Sequence, residues 1–130
     1  MIDYSKVQIA EDQICYYSPY RVLIFETDEM NRIADEKQRA KGETTYFDVT
    51  NPDNDDDGWY NFYFDTNGKE VIQFYYEYEN GDYGDSIEMT EEEKNIVIDK
   101  IIEYYGGKEE YERVCAEYNE WKELPNAKKQ

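Results

Sequence analysis

Trp59-Tyr60-Asn61-Phe62-Tyr63-Phe64-Asp65-Thr66-Asn67-Gly68-Lys69-Glu70-Val71-Ile72-Gln73-Phe74-Tyr75-Tyr76-Glu77-Tyr78-Glu79 decides the fold. Aromatic and β-branched residues crowd both halves, and Asn67-Gly68 stands between them, so the stretch reads as a β-hairpin. A three-residue loop, Thr66-Asn67-Gly68 with Gly68 left-handed, sets Asp65 opposite Lys69. Tyr60, Phe62 and Phe64 then share an apolar face with Ile72 and Phe74. The other face pairs Tyr63 with Val71, Asn61 with Gln73 and Trp59 with Tyr75. A two-residue loop mixes the two sets, because a slip of one residue inverts every side chain.

Downstream, Asn80-Gly81 is a strong two-residue turn signal. It predicts Tyr78 opposite Tyr83, Phe74 opposite Ile87 and Ile72 opposite Met89, with Glu79 and Asp82 as like charges across the turn. Thr90-Glu91-Glu92-Glu93 is a capping box. The helix it opens carries an apolar stripe of Val97, Ile98, Ile101, Ile102 and Tyr105 and stops at Gly106-Gly107. A second helix carries Tyr111, Val114, Cys115, Tyr118 and Trp121 at helical spacing. Leu124-Pro125 ends it, and residues 126–130 read as a frayed basic tail.

Upstream, residues 14–26 read as extended structure interrupted at Ser18-Pro19. Thr27 caps a helix over about 28–41, with Asp28 and Glu29 in its first turn, bases near its end and Gly42 as its left-handed stop. Its only apolar contacts are Met30, Ile33, Ala34 and Ala40, so it is expected to pack weakly on the outside. Thr44 to Val49 reads as a further strand. Strands followed by helices predict one α+β domain over residues 1–125, an antiparallel meander with the C-terminal helices on one face.

The chain has 130 residues, a net charge of −18 and 22 Phe, Trp and Tyr. Between Glu43 and Glu93 stand sixteen Asp or Glu against one Lys, together with twelve of those aromatics. So many large rings argue for a folded core under an acidic surface rather than for disorder. The charge argues against direct binding to nucleic acid or anionic lipid, whose phosphates it repels. Met1 to Ala10 has no apolar leader and no run is long enough to span a membrane, which predicts a cytoplasmic protein. Cys15 and Cys115, with no His in the chain, read as two buried reduced thiols.

Asp53, Asp55, Asp57 and Gly58 match the first half of a calcium loop, where carboxylates at alternate positions converge on a hard cation. Phe64 stands where the closing bidentate Glu belongs, and the flanks are strand-like, so an EF-hand is not expected; a calcium site at Asp53–Gly58 is the secondary expectation. No other cofactor is expected. Without His, and with neither Cys near an imidazole, no catalytic constellation is expected.

The remaining candidate is a partner-binding surface. Glu77 and Glu79 alternate along one strand face, with Asp82, Asp85 and the Asp53, Asp55, Asp56, Asp57 loop nearby. Such a row of charge can imitate a phosphate backbone in a Lys/Arg groove. Trp59, Tyr63 and Tyr75 supply aromatic anchors if the non-core face is open. In size, acid-rich hairpins and lack of catalytic residues the chain resembles the small acidic inhibitors of mobile elements, the anti-CRISPR and antirestriction proteins. That resemblance implies a non-catalytic inhibitor occupying the basic surface of a nucleic-acid-binding protein. The alternative expectation is an interaction module such as an immunity protein that neutralises a basic toxin.

Overall fold

The computed structural model describes residues 2–10, 18–43, 59–79 and 81–123. After a 3₁₀ turn at Tyr4–Lys6, the elements are β1 (Arg21–Ile24), α1 (Asp28–Ala40), β2 (Tyr60–Thr66), β3 (Val71–Tyr78), β4 (Tyr83–Ile87), α2 (Glu91–Tyr104) and α3 (Lys108–Glu123). The strands form one antiparallel sheet in the order β1-β2-β3-β4. The fold is α+β, with a meander sheet and helices gathered on one face. Beside β1, Ile9 bridges Ile24, and the Ala10 and Phe25 amides bond across that short pairing.

Alternation along the strands sorts the sheet into two faces. Val22, Ile24, Tyr60, Phe62, Phe64, Phe74, Tyr76 and Ile87 all enter one core. It is largely aromatic: Phe64 and Phe74 rings lie 4.6 Å apart, and Tyr60 meets Tyr76 edge-on at 5.3 Å. Val97, Ile98 and Ile101 of α2 and Tyr111 and Cys115 of α3 close it from the helical side. The predicted stripe of α3 thins toward its end, where Trp121 is exposed. The capping box is present, Thr90 N–H donating to Glu93 Oε1 at 2.8 Å and Glu93 N–H to Thr90 Oγ1 at 3.1 Å.

Three expectations are corrected. The β2–β3 loop has four residues, Asn67 to Glu70, rather than three. Asn67 Oδ1 accepts from the amides of Lys69 and Glu70, a side-chain-built turn that hydrophobic pattern alone does not reveal. Phe62 consequently faces Tyr76, four residues further along β3 than expected, and Tyr63 faces Tyr75. A shift of four preserves the faces, but the irregularity between Asp65 and Thr66 brings Val71 into the core and leaves Ile72 56% exposed.

In the second hairpin Phe74 faces Ile87 as expected, but a bulge beyond Tyr76 sets Glu77 opposite Tyr83. Tyr78 therefore donates its amide to Asp82 instead of lying across from Tyr83. The third correction concerns α1, which is no weakly packed outer helix: Met30 and Ala34 are fully buried in the core, beside Asp35 and Gln38. Tyr60 OH donates to Asp35, Tyr76 OH donates to Gln38 Oε1, and Gln38 Nε2 donates to Tyr78 OH. Buried tyrosines need partners for their hydroxyls, and α1 supplies them. The Thr27 cap and the left-handed Gly42 stop are both present.

Candidate functional site

The face of the sheet turned away from the helices carries most of the candidate residues that fall within the described chain. β1 contributes Arg21, β2 contributes Asn61, Tyr63 and Asp65, β3 contributes Gln73, Tyr75 and Glu77, and β4 contributes Tyr83 and Ser86. The bulge beyond Tyr76 turns Tyr83 onto this face. Trp59, one residue before β2, continues the same alternation.

At the middle of the face Arg21 organises the aromatics. Its guanidinium lies 3.8 Å from the centroid of the Tyr63 ring, Nε donates to Tyr75 OH at 2.9 Å, and Nη2 meets Glu77 Oε2 at 2.9 Å. Tyr63 and Tyr75 stack at 5.5 Å, and Tyr83 follows Tyr75 at 6.1 Å. Burial opposes the Arg21 charge, but the Tyr75 hydroxyl, the two phenol rings and Glu77 outweigh it, and the guanidinium is held more firmly protonated than usual. Burial pushes the Tyr75 phenol well up, and it pushes the Asp65 carboxyl up against the opposing pull of Tyr75 and Arg21.

This centre is closed rather than open. Tyr63 and Tyr75 are 4% and 6% exposed, so neither ring is presented as the free anchor expected of it. Glu77 is half-buried in its bond to Arg21, so its charge is largely compensated. Asp85, expected in the same acidic row, is instead drawn toward Lys41 at 3.3 Å and accepts the Ser86 amide at 2.8 Å. Burial raises its carboxyl, and the Ser86 amide and Lys41 outweigh that effect and hold it below the ordinary carboxylate range.

The open part lies at the end of the face nearest the second hairpin tip. Trp59 is 47% and Tyr83 58% exposed, and Glu79 and Asp82 are exposed beside the turn. The β2–β3 pairing ends at Tyr60 opposite Tyr78, so Trp59 and Glu79 each stand one residue beyond the same end of the ladder. Two exposed aromatics, Trp59 on the β2 side and Tyr83 on the β4 side, thus stand at the end of the sheet that carries exposed carboxylates, which fits a cation that offers both charge and a flat or apolar stem. Asp53, Asp55, Asp56 and Asp57 lie outside the described residues, and the calcium expectation with them. Among the described residues no group of three Cys, Asp or Glu side chains gathers as around a metal ion.

The sequence pattern alone does not single out Arg21, Lys41 or Tyr83. Arg21 reaches Tyr63 and Tyr75 only through β1–β2 pairing, which no turn motif joins, because the two strands lie far apart in sequence with α1 between them. An unbroken Asn80-Gly81 hairpin sets Tyr83 opposite Tyr78, and only the bulge moves it opposite Glu77. Compared with protein-family models, curated proteins and solved structures, the chain matches none. No described helix is long and apolar enough to cross a membrane.

Proposed function

We propose that this protein is a non-catalytic, cytoplasmic inhibitor that binds the basic nucleic-acid-binding surface of a defence or DNA/RNA-processing protein. The observation that carries the reading is the open end of the outer face, where Trp59 and Tyr83 stand exposed beside Glu79 and Asp82. A groove built for phosphates offers Arg and Lys, whose charge meets the carboxylates and whose planar head or aliphatic stem lies on the rings. The overall charge of −18 steers such a partner from a distance and repels nucleic acid itself. Within the described chain, this reading moves the contact toward the hairpin tip and away from Glu77, Asp85, Tyr63 and Tyr75.

The test is capture of partners from a bacterial lysate, washed at low and high salt with and without competing DNA and RNA. A nucleic-acid-binding protein retained at low salt and displaced by nucleic acid is the expected result. Glu79→Gln/Asp82→Asn should then weaken capture at least tenfold, whereas Asp99→Asn/Glu103→Gln on α2 should change it little. A basic partner indifferent to nucleic acid would overturn mimicry in favour of a toxin neutraliser.

A further inference from the structure

β4 is the last strand of the sheet, so one of its sides has no strand beside it among the described elements. Such an edge presents backbone donors and acceptors that can template a further strand. Here one acceptor and one donor are taken up by side chains. Lys41 Nζ donates to the Gly84 carbonyl at 2.9 Å, and the Ser86 amide donates to Asp85 Oδ1 at 2.8 Å. Lys41 and Asp85 in turn lie 3.3 Å apart. A lysine projected from the end of α1 and a carboxylate of the strand itself thus occupy an acceptor and a donor two residues apart.

The backbone is bent at the same place. The register slips between Tyr76 and Glu77 opposite Gly84, and a Cβ on Gly84 would lie 2.2 Å from the Tyr76 ring. Gly84 is therefore pressed against β3 with its carbonyl turned to Lys41. A bulge, a charged edge residue and a covering lysine are three separate means of closing one edge.

We propose that Lys41 and Asp85 form a guard that keeps β4 from pairing with the β4 of a second copy of this chain. The second copy is the occupant because antiparallel pairing of one strand with itself about a twofold axis is self-complementary. Within Tyr83-Gly84-Asp85-Ser86-Ile87, Asp85 is also the only charge, so in a symmetric pair its copies approach one another and repel unless they are removed. The long-range repulsion between two chains of charge −18 is a further barrier that salt screens. The guard matters most in concentrated, salty solution.

The experiment compares wild type with Lys41→Ala/Asp85→Asn by light scattering across a hundredfold concentration range in 0.5 M salt, about five times the concentration at which charge is screened over about 10 Å. Far-UV circular dichroism confirms that both are folded, and the milder double variant Lys41→Gln/Asp85→Asn serves if the first is not. The expected result is a single chain for wild type and a concentration-dependent twofold rise in mass for the variant. Adding Ser86→Pro, which removes the edge donor without breaking the β3 pairing, should restore the single chain. A folded variant that stays a single chain throughout overturns the proposal. So does a wild type that pairs equally well, or a dimer indifferent to Ser86→Pro.

Discussion

Gln38 sits 2% exposed on α1 and joins two tyrosines, accepting from Tyr76 OH and donating to Tyr78 OH. A buried amide used at both its ends is hard to replace, since removing it leaves the Tyr76 hydroxyl in the core with only the long 3.5 Å bond to the Ala34 carbonyl. Gln38→Ala is expected to lower unfolding free energy by about 1–3 kcal/mol in urea titrations. Gln38→Ala combined with Tyr76→Phe should cost less than the sum of the two single changes, because each alone strands the other's group. Gly84 tests the opposite kind of constraint. The Tyr76 ring that a new Cβ would strike is itself fixed by its hydroxyl bond to Gln38, so Gly84→Ala should destabilise by about 1–3 kcal/mol in the same assay. Both residues are polar or small, and neither announces its burial in the sequence.

The elements differ in how far their neighbours decide them. The capping box of α2 is local, made within four consecutive residues, and it is legible in Thr90-Glu91-Glu92-Glu93 alone. Thr90→Ala should cost about 1 kcal/mol, within a range of about 0.5–2, and lower the melting temperature accordingly. The meander and its core face were legible for the same reason, since alternation belongs to each strand separately. The register was not, because Asn67 builds its turn from a side chain and a bulge then exchanges Ile72 for Val71. For α1, counting apolar residues missed Asp35 and Gln38. The better signal lay in other elements, in Tyr60, Tyr76 and Tyr78, whose hydroxyls require partners from whatever packs over them. In the candidate site the exposed tip acids and Trp59 were legible, whereas Arg21 and its two rings meet only after three strands are assembled.

For the molecule as a whole, the choice of tyrosine as the main core aromatic has a pH signature. Burial pushes the phenols of Tyr4, Tyr75 and Tyr76 well above the ordinary value of about 10, and that of Tyr111 up to about 12. A folded value above the unfolded one means that these groups contribute their full stability below about pH 10 and lose it as pH rises through the folded values. Absorbance titration at 295 nm should therefore be biphasic. Exposed members of the fifteen tyrosines ionise first, and the buried ones follow in a step that coincides with loss of the far-UV signal. A single smooth phase, with secondary structure intact throughout, would contradict the burial described. The two tryptophans have the reverse placement, Trp59 at 47% and Trp121 at 40% exposure, one at the sheet's open end and one on α3. Indole emission is thus a reporter of the surface and tyrosine a reporter of the interior. With Trp121→Phe the remaining indole is a built-in optical probe of the hairpin tip, quenched by acrylamide when free and shielded from it when a partner arrives there.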